Sequence, residues 1–270
     1  MPGDMILTLP PHRTWVRSGT RPVLALHCSL AHAGAWGPLA EQLTGITLTA
    51  TDQPGHGRAA DWDRVSDLHT MATEGSIAMA ERLGRGQAID LMGHSFGGTV
   101  ALRVALQRPD LVRSLLLIEP VIFVAAHADP AFAAFKARHA LVVERLQAGD
   151  LAAALRLFQA DWGAGEAVES LPKKTCTYML DRIALIGAQN AVLMEDTAGL
   201  LRPGRLEGLR APVLLIEGAK SPAIIGAIHT ALAARLPSVQ QLIVPGAGHM
   251  LPITHPQLVA PAVQAHLAGC

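Results

Sequence analysis

The chain has 270 residues, half of them apolar and only 16% charged, and its formal net charge is 0. That composition suits one large domain, or a domain with a sizeable insertion, and excludes a chain too polar to fold. The arginines are scattered rather than clustered, so neither nucleic acid nor an anionic membrane is expected as a partner; a small-molecule ligand is.

Residues 1–20 contain prolines and no long apolar stretch, so no signal peptide is expected. Short aliphatic runs then recur at 23–27, 47–52, 88–92, 114–118, 213–216 and 241–244, most of them followed by glycine or proline and a longer Ala/Leu-rich segment. Such runs read as strands buried on both faces, and their alternation with helices predicts parallel βαβ units. The helix that starts at Phe96 carries Val100, Leu102, Val104 and Leu106 and must stop at Arg108-Pro109.

The alternation breaks between residues 121 and 205, where no strand run stands out and at least three helices are predicted. Asp129-Pro130 marks one start and Gly149 its end; Asp150 can cap the next helix. A third is expected to begin near Ser170-Leu171-Pro172 and to run through Met179, Ile183 and Ile186. The predicted organisation is therefore an α/β core in two parts, 1–120 and 206–270, interrupted by a helical cap, 121–205. The longest apolar stretch, 115–126, is broken by Glu119 and Pro120 and is too short to span a bilayer. Cys28, Cys176 and Cys270 are odd in number and lack metal-ligand spacing, which favours a reducing, cytoplasmic setting over a disulfide framework.

Gly93-His94-Ser95-Phe96-Gly97 follows the third strand run and opens the helix at Phe96. This is the G-x-S-x-G pattern of a nucleophile elbow, where glycines without Cβ let strand and helix pass close to a strained serine. Three more motifs stand in order around it: Leu26-His27-Cys28-Ser29 with Gly34 and Trp36, Asp52-Gln53-Pro54-Gly55-His56-Gly57, and Gly246-Ala247-Gly248-His249-Met250. Together they resemble the α/β-hydrolase superfamily, and within it the small serine esterases with a helical cap. The resemblance implies a mostly parallel central sheet flanked by helices; it does not fix a substrate.

A serine hydroxyl needs a base to take its proton as it attacks, and the resemblance places that base at His249, whose imidazole type titrates near neutral pH. His94 is expected to pack or hydrogen-bond beside the elbow. The oxyanion donors implied are the backbone N–H groups of Phe96 and Ser29. Cys28 departs from the family's usual glycine; with no basic partner in sight it reads as a small packed thiol. Asp52 is expected to hold the turn that follows it, and Trp36 to pack the first helix.

The acid that should orient the histidine is absent from its usual place, where Ser221 stands in Glu217-Gly218-Ala219-Lys220-Ser221-Pro222. Some relatives, the haloalkane dehalogenases among them, keep the acid one strand earlier, which points to Glu119 at the end of the 114–118 run. Glu217 is the next candidate. The reading that follows is a serine hydrolase cleaving a small, mainly apolar carboxylic ester or lactone through an acyl-enzyme, with no cofactor and no metal. The pocket is expected to be aliphatic, with Leu, Met or Phe supplied by the cap. The same parts also serve carbon–carbon bond hydrolases, lyases, perhydrolases and ligand-binding receptors, and assembly into a homo-oligomer is left open.

Overall fold

The computed structural model describes residues 9–270. The first eight residues, part of the stretch read above for a signal peptide, lie outside the described residues. Six strands form one sheet, β1 (His12–Leu26), β2 (Ile46–Thr51), β3 (Ile89–His94), β4 (Val112–Ile118), β5 (Val213–Gly218) and β6 (Val239–Val244), in the order β2-β1-β3-β4-β5-β6. Pairing from the second half of β1 through β6 is parallel.

Apolar side chains lie on both faces of each central strand, as the unbroken aliphatic runs require. Leu24, Leu26, Leu91, Leu115, Leu117 and Leu215 point into one buried cluster. Their neighbours Val23, Ala25, Met92, Leu116, Ile118, Leu214 and Ile216 point into the other. A buried Leu or Ile contributes about 1.5–3 kcal/mol relative to an exposed one, so these two faces fix the strand register that carries the site. The sheet is flanked by α1 (Gly37–Gln42), α2 (Leu68–Gly84) and α3 (Phe96–Gln107).

All six predicted strands are present, and β1 is longer than its aliphatic run. Its first half is half exposed and mostly polar, with Trp15 and Val16 set between Arg13 and Arg17, so it carries no aliphatic run. The strand folds back at Ser18–Arg21. His12 stands opposite Thr51 and Arg17 opposite Ile46, whereas Arg21 stands opposite Ile46 and Leu26 opposite Thr51. The two halves of β1 thus run in opposite senses along β2.

Between β4 and β5 lie α4 (Pro130–Gln147), α5 (Leu151–Trp162), α6 (Lys173–Leu180), α7 (Leu185–Ala188) and α8 (Asn190–Glu195). Asp129 accepts from the Ala131 N–H and Asp150 from the Ala153 N–H, so both expected caps are in place. The third predicted helix, in contrast, is broken into two short pieces, α6 and α7. After Leu180 the bonding tightens to i→i−3, with Arg182 N donating to Met179 O and Leu185 N to Arg182 O. That tightening rotates the chain relative to a continuous helix. Ile183 and Ile186 thereby reach a small core with Val142, Leu155 and Leu30, the last supplied by the loop after β1. The chain then returns through β5, α9 (Ala223–Ala233), β6, α10 (Leu251–Thr254) and α11 (Pro256–Ala268). Among the described residues, no helix is long and apolar enough to cross a membrane.

Candidate active site

Ser95 is the first residue beyond β3, with φ 56° and ψ −120°, a conformation that costs a non-glycine residue of order 1–3 kcal/mol. Its neighbours make the turn sterically possible. A Cβ on Gly93 would stand 2.2 Å from Gly97 O, and one on Gly97 would stand 2.2 Å from Leu26 O. The Ser95 N–H donates to Ile118 O at 2.9 Å, which ties the elbow to the end of β4.

Register then places Glu119. His94 pairs with Ile118 and Ile118 with Ile216, so Ser95 and Glu119 each leave their strand at the same level. Glu119 also has a positive φ, 48°, and its N–H donates to Ile216 O at 2.9 Å. Its carboxylate is fully buried. Oε1 accepts from the Gly218 N–H at 2.7 Å and from the Ser221 hydroxyl. Oε2 faces His249 Nδ1 at 2.5 Å. Burial pushes this carboxyl up, but the hydrogen bonds from His249, Ser221 and Gly218 and the nearby imidazole outweigh it and hold its pKa below the usual glutamate value.

His249 occupies the loop after β6, with Nε2 3.0 Å from Ser95 Oγ. A proton on Nδ1, donated to Glu119, leaves the Nε2 lone pair free to accept from the serine. Two further groups fix the ring. His94 Nε2 donates to the His249 carbonyl at 2.8 Å, from the position expected beside the elbow. Trp162, at the end of α5, meets the imidazole edge-on with ring centroids 4.7 Å apart.

The loop after β1 carries Ser29, the second sequence-derived donor residue, and it borders the same cavity as Ser95. Two buried histidines shape the loop. His27 Nδ1 donates to Cys28 O at 2.7 Å while Nε2 accepts from Gln53 N; His56 Nδ1 donates to Pro54 O while Nε2 accepts from Leu30 N at 3.1 Å. Accepting at Nε2 requires neutral rings. Burial accordingly lowers the pKa of His27 to about 3 and of His56 to about 4. Leu30 has φ 60°, and its N–H is committed to His56. Phe96 heads α3, where a first-turn N–H has no intrahelical acceptor.

Other residues singled out in the sequence are scaffold. Asp52 accepts from the N–H groups of Ala33 at 2.7 Å and Arg58 at 3.1 Å. Trp36 is buried in the core. Cys28 is buried, and desolvation pushes its thiol up to about 12. Glu217 stays within β5 and faces His229 at 3.5 Å rather than His249.

Ser95 and His249 open on a cavity of about 400 Å³. Phe158, Leu171 and Met179 fulfil the expectation of an apolar lining, but Trp162 and Tyr178 add aromatic surface, and Lys174 and Glu166 add charge. A second, much smaller chamber of about 20 Å³ also borders Ser95 and includes Gln189. Sequence reasoning missed Trp162, Tyr178 and Gln189. For Gln189 there was a signal: Gln189-Asn190 is a polar pair inside the otherwise apolar stretch 185–194.

The model of the Alpha/beta hydrolase family matches residues 23–262. Over 108 residues the chain is 37% identical to lipase LipV of Mycobacterium tuberculosis, a match covering 39% of each protein, so it reaches well under two thirds of that relative's length. Over 246 residues it is 26% identical to the 2-(acetamidomethylene)succinate hydrolase of Mesorhizobium japonicum, covering 89% of this chain and 86% of that one. The solved structure of MenH from S. aureus shares the fold, with a TM-score of 0.71 at 18% identity over 96% of this chain and 98% of that one. With 240 consecutive positions matched, the chain belongs to the alpha/beta hydrolase family.

Proposed function

We propose that this protein is a serine hydrolase that cleaves a small, mainly apolar carboxylic ester or lactone through an acyl-enzyme. The observation that carries the reading is the continuous hydrogen-bonded line from buried Glu119 through His249 to Ser95. As Ser95 Oγ forms a bond to the acyl carbon, His249 Nε2 takes the hydroxyl proton. Negative charge collects on the former carbonyl oxygen, and the N–H groups of Phe96 and Ser29 receive it. Collapse expels the alkoxide, which takes the proton back from His249. Water then attacks the acyl-enzyme by the same exchange, releasing the acid and restoring Ser95. Glu119 holds the imidazole tautomer throughout and balances its transient positive charge.

The helices of residues 121–205 act in this reading as a cap. Trp162 and Phe158 cover the reacting atoms from that side, and the 400 Å³ cavity accommodates the bulk of the substrate. The lipase relative supports ester cleavage, while the succinate hydrolase relative is a reminder that the family's parts serve several leaving groups. A panel of p-nitrophenyl esters from acetate to octanoate tests the reading. Turnover of the shorter members that Ser95→Ala abolishes is expected; equal hydrolysis by both proteins would refute it.

A further inference from the structure

Gln189 connects α7 to α8 and is only 3% exposed. Its Oε1 accepts from the Ser29 hydroxyl at 2.9 Å. Its Nε2 is buried and has no hydrogen-bond partner among the described residues. A primary amide has two N–H donors to satisfy, and leaving both unpaired away from water is costly unless a ligand completes them. The surroundings show where such a ligand would sit. Gln189 lines the small chamber beside Ser95, whose other walls are mostly apolar: Val121, Phe123, Phe158 and Leu193 among them. Three other polar atoms of the walls already have partners. His139 Nε2 and Asn190 Oδ1 bind one another at 2.9 Å, and Ser29 Oγ is engaged by Gln189 itself.

We propose that this chamber is the acyl subsite, that it takes a short acyl chain bearing a hydrogen-bond acceptor such as an ether or keto oxygen, and that Gln189 Nε2 donates to that acceptor. The proposal rests on the acyl-enzyme reading above. It divides the site by size. The smaller chamber suits a short acyl tail, and the larger alcohol portion fills the 400 Å³ cavity. A buried donor also gives selectivity that an apolar wall cannot. An all-carbon chain of the same shape leaves the amide unpaired, whereas an oxygen in the chain satisfies it.

Methoxyacetyl and butyryl groups have the same shape and differ by one oxygen for one methylene. The test compares kcat/KM for their p-nitrophenyl esters in the wild type, in Gln189→Leu and in Gln189→Met, the second variant keeping the side-chain length. Intrinsic reactivity cancels when the methoxyacetate-to-butyrate ratio is compared between proteins. The ratio is expected to fall at least tenfold in both variants, whatever loss the two esters share. If both esters slow equally, Gln189 acts only by tethering Ser29 and the proposal is overturned; an unchanged or higher ratio also overturns it. If the folded wild type hydrolyses neither ester, the acyl-enzyme reading fails first and this inference with it.

Discussion

The Ser221 hydroxyl donates to the carboxylate oxygen of Glu119 that does not face His249. Ser221 stands where the family's acid is expected, and in the proposed mechanism Glu119, at the end of the neighbouring strand, meets the histidine in its stead. The Ser221 hydroxyl and the Gly218 N–H both support that carboxylate.

Removing the charge of that carboxylate should therefore be far more damaging than removing its support. Glu119→Gln places an amide against His249 Nδ1 and disturbs the tautomer, so kcat is expected to fall on the order of a thousandfold to ten-thousandfold with little change in KM. Ser221→Ala leaves Oε1 its bond to Gly218, and activity should stay within about tenfold. Steady-state kinetics on one ester checks both, and a Ser221→Ala protein that is dead beside an active Glu119→Gln would contradict the assignment. The double variant Glu119→Gln/Ser221→Asp returns a carboxylate to the strand end and should recover at least tenfold over Glu119→Gln alone.

The elbow makes a stability prediction. A Cβ at Gly97 meets backbone rather than a movable side chain, Leu26 O at 2.2 Å and His27 O at 2.5 Å. Gly97→Ala should cost more than about 3 kcal/mol, read as a lowered guanidinium midpoint. An unchanged midpoint would show that α3 can move away from β1 at no cost.

Cys28 should be silent. Its thiol is buried and pushed up to about 12, whereas Cys270 is exposed. Iodoacetamide at pH 8 is expected to label Cys270 in the folded protein and to leave Cys28 and ester turnover untouched, as peptide mass mapping would show.

Stability should decline on the acid side of neutrality. Burial lowers the pKa of His27, His69 and His94 to about 3 and of His56 and His229 to about 4, against an ordinary value of 6.5. Between those values the unfolded chain binds protons that the folded one refuses, so stability rises with pH up to about 6.5 and levels off above it. Each ring contributes at most about 1.4 kcal/mol per pH unit in that window. Glu119 adds to the loss only at lower pH: its folded value lies below the usual glutamate value, and its contribution vanishes as pH falls through it. Urea midpoints at pH 7, 6 and 5 should fall in that order; a flat series would contradict neutral, hydrogen-bonded histidines.

Much of this arrangement is legible in the sequence. Aliphatic runs located the strands because both faces of the sheet are buried, and Asp129-Pro130 and Asp150 located helix starts because caps act within a single turn. Glu119 could be named because a strand end is a position that register transmits to its neighbour. What escaped has physical reasons too. The first half of β1 is half-exposed and mostly polar, with Trp15 and Val16 too short a run to stand out as a buried strand. The break after Leu180 depends on where Ile183 and Ile186 find a core, a tertiary matter. Gln189 reaches Ser29 across 160 positions of sequence, a contact that no local spacing encodes.

In the proposed mechanism Glu119 and His249 make Ser95 nucleophilic, and mass spectrometry after brief exposure to a fluorophosphonate reads that reactivity at the serine itself. A single adduct on the peptide containing Ser95 is predicted, absent in Ser95→Ala and strongly slowed in His249→Ala and Glu119→Gln. A folded wild-type protein that takes up no label at Ser95, or is labelled there as fast without His249, would contradict it.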